Sequence, residues 1–139
     1  MAATTHTYTV DAQVASGGEA SVAPKGRKIL FDGSAEQGDE LPGPADLLIA
    51  AFAACAMKNV ERFSHLLPFA YEQASITVRA ERQDAPPKII AVHYELRVTT
   101  NEPSKRVELL HDNIRRHGTI FNTLAAVCKV TGGIVTVPV

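Results

Sequence analysis

The sequence predicts an α+β fold, and three observations carry that reading. Apolar and polar residues alternate with a period of two through the first third of the chain, as in strands with one buried face. At Pro42-Gly43-Pro44 the alternation stops, and an Ala- and Leu-rich stretch runs to Leu66 with no period of two. Alternation then returns over residues 73–98, followed by helical spacing and a last strand. The order βββ–α–ββ–αα–β segregates helices from antiparallel strands, which is the α+β pattern. A chain of 139 residues is the size of one ordinary domain, so a single domain over 1–139 is expected.

The elements follow in order. Residues 6–14 place Tyr8, Val10, Ala12 and Val14 on one face of a strand. Ser16-Gly17-Gly18 turns the chain, residues 19–23 return toward Pro24, and Lys25-Gly26 turns it again into a strand ending at Asp32-Gly33. The polar segment 34–43 reads as a loop, with Glu36, Asp39 and Glu40 as a solvated acidic cluster. Pro44 suits a first helical turn, where its missing N–H costs nothing, and Asp46 adds a favourable negative charge there. The first half of this helix is apolar all round and is expected inside a core, with the second half emerging. Residues 73–84 and 88–100 form a long hairpin about Pro86-Pro87. A helix follows Pro103, with Val107, Leu110 and Ile114 as its apolar stripe and Gly118 as its C′ residue. Thr119 is the candidate N-cap of a shorter helix. Gly132-Gly133 reads as a turn, and the closing strand beyond it as an edge because of Pro138.

Bulk composition excludes several function classes. Fourteen basic and fifteen acidic residues leave a net charge of −1, so no overall field draws the chain to nucleic acid or an anionic membrane. The longest apolar run, Leu47–Met57, is eleven residues, against about twenty for a membrane span. No basic-then-apolar leader opens the sequence, and two cysteines do not make a disulfide framework, so a reducing cytoplasm is the expected setting. Neither cysteine forms a zinc-ligand spacing with the five histidines. No metal and no cofactor are expected.

Chemistry, if present, is thiol chemistry at Cys55, in the middle of the apolar helix. The bland reading is a small buried thiol that only fills space. Ala50, Ala51, Ala53 and Ala54 keep its surroundings small enough for another segment or a substrate to approach. Lys58, three residues on, shares its helical face and is placed to stabilise a thiolate, or else snorkels to solvent. His117, Arg115 and Arg116 read as charges complementing a helix C-terminus. His111 and His117, six residues apart, are not a ligand pair.

The run Gly43-Pro44-Ala45-Asp46-Leu47-Leu48-Ile49-Ala50-Ala51-Phe52-Ala53-Ala54-Cys55 resembles the signature of the OsmC/Ohr family, in which Pro, acidic residues and an Ala-rich run lead to a peroxidatic cysteine. His117-Gly118-Thr119-Ile120-Phe121-Asn122-Thr123-Leu124 resembles that family's second motif, which usually reads Cys-Pro, two residues, then Asn-Thr-Leu. With the matching element order, the resemblance spans nearly the whole chain. It implies an OsmC-like fold, an intertwined homodimer with the thiol site at the subunit interface, and reduction of organic hydroperoxides. The pattern departs in places. Gly118 stands where the second motif has its cysteine, Ala45 where the first motif has its glutamate, and Glu19 where an arginine follows Gly-Gly. Asp46 and Arg27 are the nearest substitutes for that acid and that arginine. Cys128, ten residues beyond Gly118 and so about 15 Å along a helix axis, reads as a separate buried thiol.

The resemblance therefore implies a site of Cys55, Lys58, Asp46 and Arg27, acting on a small hydroperoxide with an external thiol as reductant. The alternative is a non-catalytic protein on the same scaffold that binds a small hydrophobic ligand. A purely structural module is the third reading.

Overall fold

The computed structural model describes residues 3–36, 38 and 40–139. The elements are β1 (Val10–Val14), β2 (Glu19–Pro24), β3 (Ile29–Asp32), α1 (Pro44–Leu66), β4 (Gln73–Asp84), β5 (Pro87–Thr99), α2 (Ser104–His117), α3 (Thr119–Ala125) and β6 (Lys129–Val137). Their order is the one that the alternation and its interruptions predict. They belong to two compact units, Met1–Leu48 and Ile49–Val139.

The first unit is an antiparallel meander in the order β1-β2-β3. Val10 pairs with Pro24 and Val14 with Ala20, while Glu19 pairs with Asp32. Its turns need residues with positive φ: Gly17 at 103° and Gly18 at 100° in the first, Lys25 at 51° and Gly26 at 75° in the second. The first strand starts at Val10 rather than at residue 6, and every residue of β1 is exposed. Alternation tells which side chains share a face; it does not tell whether a second layer covers that face. The loop after β3 is tied by the Asp32 carboxylate, which accepts from the Ser34 hydroxyl and backbone and from Gly38 N–H. These donors, the Ser34 hydroxyl foremost, hold the Asp32 carboxyl below its ordinary range. Glu36 and Glu40 are exposed there, and Asp39 lies outside the described residues.

Helix α1 begins with a side-chain cap from Asp46. Gly43 N–H donates to the Asp46 carboxylate at 2.9 Å, while Leu47 N–H donates to the Gly43 carbonyl at 3.1 Å. An acid at the third helical position reaching back to the N-cap amide is the carboxylate half of a capping box.

The second unit has the sheet order β4-β5-β6, with β4 antiparallel and β6 parallel to β5. Val92, Tyr94, Leu96 and Val98 alternate on the buried face of β5 and meet Phe52, Val60 and Phe63 of α1, Leu110 and Ile114 of α2, and Phe121 and Leu124 of α3. The C-terminal end of α1 is held by Arg106, whose guanidinium donates to the carbonyls of Leu67 and Pro68.

Three expectations are corrected in this unit. The buried residues of α1 are Phe52, Ala56, Asn59, Val60, Phe63 and Ser64, so full burial begins two turns into the helix, while Lys58, Glu61 and Arg62 of the second half are exposed. Ala50 and Ala54 are exposed, and Leu48 retains 40% of its surface. The reason is the docking stripe: spacings of three and four from Phe52 onward aim at β5 and α2, and Ile49, half-buried, extends that stripe toward the helix start. Next, Gly132-Gly133 is inside β6 and not a turn. A β-carbon at Gly132 would fall 2.4 Å from the Tyr94 ring and carbonyl, so glycine is required by close approach. Finally, Gly118, which closes α2 in an extended conformation (φ −75°, ψ 119°), is also the N-cap of α3 in place of Thr119.

Candidate functional site

Cys55 lies on α1 at the margin of the docking stripe, half-buried and free, one turn after the buried Phe52. Three neighbours define it. The first is Gly118, at the junction of α2 and α3: a β-carbon there would meet the Cys55 Sγ at 3.2 Å, Ile114 O at 3.0 Å and the Phe121 Cβ at 3.0 Å. The position at which the family pattern has a second cysteine is thus in contact with this sulfur, and only a residue without a side chain fits there undisturbed. The second is Asn59, one helical turn on and only 7% exposed, whose side-chain nitrogen donates to the Cys55 carbonyl at 3.0 Å and approaches Sγ at 3.6 Å. The third is an aromatic wall, with Phe52 and Phe121 rings 5.5 Å apart and both within 6.0 Å of the Tyr94 ring.

Behind that wall is a polar cluster that the sequence did not announce. Arg115 Nη1 donates to the Tyr94 hydroxyl oxygen at 3.1 Å, and the hydroxyl lies 2.5 Å from His111 Nε2. The Tyr94 hydroxyl thus bridges the Arg115 guanidinium and the His111 ring, with a lone pair turned to Arg115. Burial holds the His111 pKa below its ordinary value, and the Arg115 charge adds to that. Burial likewise pushes the Tyr94 hydroxyl up, with Arg115 opposing. The Arg115 guanidinium also sits 5.2 Å from the Phe121 ring centre, over its face. Arg115 therefore turns inward to a tyrosine and an aromatic ring, instead of only facing the end of its helix. The available signal was spacing: His111 and Arg115 follow Val107 at i+4 and i+8 on a helix whose buried face passes through Val107.

The other residues picked from the sequence are placed as follows. Lys58 is exposed, and it is Asn59 that reaches the sulfur. Asp46 is occupied in capping α1. Arg27 is exposed in the first unit, its backbone N–H donating to Pro24 O at 3.0 Å. His117 is exposed, with its ring 5.5 Å from that of Phe63. Cys128 precedes β6 as a free thiol, and its Sγ donates to the Leu124 carbonyl at 3.2 Å. Among the described residues no group of three or more His, Cys, Asp or Glu side chains is arranged to hold a metal ion. No described helix is long and apolar enough to cross a membrane.

Comparison with known proteins agrees with this architecture. Similar solved structures include an OsmC-like protein from Mycoplasma pneumoniae (TM-score 0.85, 14% identity, covering 95% of this chain and 98% of that one). Also similar is an organic hydroperoxide resistance protein OsmC from Legionella pneumophila (0.71, 17%, 94% and 98%). A third is the organic hydroperoxide resistance protein OhrB of Bacillus subtilis (0.68, 14%, 92% and 98%). At these identities the likeness is one of fold. No curated protein matches the sequence. The family described as OsmC-like protein matches residues 37–132, most of the length, and the chain belongs to that family.

Proposed function

We propose that this protein reduces organic hydroperoxides with the thiol of Cys55, using an external thiol to close the cycle. The observation that carries the reading is the setting of Cys55: a half-buried, free sulfur in the family's first motif, with an amide donor on it and Gly118 against it. Two of the similar structures are organic hydroperoxide resistance proteins, which supports the same chemistry. The thiolate attacks one peroxide oxygen, forming an S–O bond as the O–O bond breaks. Cys55 becomes a sulfenic acid and the alkoxide leaves, taking a proton from solvent. An external thiol then displaces water to give a mixed disulfide, and a second one releases Cys55 as the thiol with an external disulfide as product.

Within this reading, Lys58, three residues on along α1, is proposed as the cation that serves the thiolate, while Asp46 caps the helix and Arg27 stays with the first unit. Two copies of the chain form the functional homodimer, in a cytoplasmic setting.

Turnover of cumene hydroperoxide with excess dithiothreitol tests the reading. Wild type is expected to consume peroxide, and Cys55→Ser is expected to lose at least 100-fold in rate, or about 2.7 kcal/mol, while Cys128→Ser keeps the wild-type rate. Equal rates for wild type and Cys55→Ser would overturn it. Tight binding of an apolar ligand without turnover would favour the binding-protein alternative instead.

A further inference from the structure

Asn59 is an unexpected residue for its place. Asparagine is a weak helix former, and a buried amide in a packed helix face is worse for stability than an apolar residue of the same size. Its nitrogen carries two hydrogens, and two acceptors are within reach. The Cys55 carbonyl, 3.0 Å away, takes one, and this bond fixes the amide plane across one turn of α1. The other faces the Cys55 sulfur at 3.6 Å, a distance suited to the large radius of sulfur. Within the second unit, Asn59 is the one side chain hydrogen-bonded to this sulfur among the described residues. Lys58 is exposed, Gly118 brings only backbone, and the Cys128 thiol donates elsewhere.

We infer that Asn59 is the positioning residue for the reactive sulfur: it holds the Cys55 side chain against Gly118 and donates an N–H to the thiolate that attacks the peroxide. The inference rests on the hydroperoxide reading above for its place in the reaction, but the interaction itself does not depend on it. A neutral thiol accepts a hydrogen bond weakly, whereas a thiolate accepts it strongly, so the bond grows as the proton leaves. It therefore favours the ionised sulfur without adding a charge to a packed helix. An aspartate of the same shape would place a carboxylate against the sulfur and act in the opposite direction.

Alkylation of Cys55 by iodoacetamide, followed by mass spectrometry of the Cys55 peptide in the full chain, reads the thiolate without any peroxide. At pH 6, Asn59→Leu and Asn59→Ala are expected to alkylate about tenfold more slowly than wild type, and Asn59→Asp more slowly still. At pH 10, Asn59→Leu and Asn59→Ala should come within about twofold of wild type. The alanine variant guards against misfolding of the leucine one, because alanine suits any helix position. A purely structural role predicts equal slowing or speeding at both pH values, and that result, or unchanged rates at pH 6, would overturn the inference. Wild-type peroxide turnover with unchanged alkylation in the variants would remove Asn59 and leave the hydroperoxide reading standing. Slowed alkylation without turnover in wild type would do the reverse.

Discussion

A side chain introduced at position 118 would point its first carbon at the Cys55 sulfur, 3.2 Å away. In a disulfide each β-carbon lies about 3 Å from the partner sulfur, as an S–S length of about 2.05 Å requires. Gly118→Cys is therefore expected to oxidise to a disulfide between residues 55 and 118 of one chain, which non-reducing peptide mapping after diamide treatment would detect. Two fully free thiols at those positions would contradict the placement. The reduced variant should also be less stable than wild type by about 1–3 kcal/mol, because the new carbon presses on Ile114 O and Phe121 Cβ at 3.0 Å. At this scale the sequence was half legible. Cys55 is visible because an apolar helix brackets it and a motif leads to it. Asn59 is not legible as a partner of the sulfur, since an amide in a sequence does not tell which way it points. Its position one turn after the cysteine was the only available hint.

Elements explain the rest of the site's surroundings. Helix α2 meets β5 through apolar residues, but also through the Tyr94–His111–Arg115 chain. His111 is held neutral there by burial and by Arg115, with Asp112 weakly opposing. Its folded pKa is lowered, so between that value and its unfolded value near 6.5 the unfolded chain binds more protons. Stability is then lost as the pH falls through this window, by at most about 1.4 kcal/mol per pH unit from this group. His111→Gln keeps a hydrogen-bonding partner for the Tyr94 hydroxyl without a titrating ring. Between pH 7 and 5 its melting temperature is expected to fall less steeply than that of wild type; parallel slopes in calorimetry would refute the assignment. Strand limits and helix starts were readable because Pro, Gly and a change of period mark them. The place of Gly132-Gly133 inside β6 was not, because a glycine needed under the Tyr94 ring looks the same in sequence as one needed for a turn.

On the scale of the whole molecule, the exposed apolar residues near the start of α1 are the argument for two copies. Leu48, Ala50 and Ala54 are exposed in the single chain, as are Val10 and Val14 of β1. An apolar half-helix left open in this way predicts an obligate interface of more than ~2,000 Å². Sedimentation at micromolar concentration is expected to give a dimer, and Leu48→Glu to shift it toward monomer. A monomeric wild type would contradict the proposal. The sequence did announce an apolar surface here, since a helix hydrophobic on all sides must be surrounded. In a chain this short the same reading names a second copy as the cover, although composition alone cannot distinguish the core of one chain from a surface covered by another.

The parallel pairing of β5 with β6 also has a consequence for the order of events in folding. Ala91 pairs with Lys129 and Thr99 with Val137, so every rung of this ladder closes a loop through α2 and α3. The β4–β5 hairpin closes through a turn at Ala85-Pro86 and can form early. Its partner on the other side must wait until both helices have found their places on the sheet, since only then is the loop entropy offset by contacts. Until that moment the far side of β5 is an open edge of alternating apolar residues, able to pair with any other extended chain nearby. The last step in closing the second unit is therefore the one most sensitive to crowding by other unfolded copies.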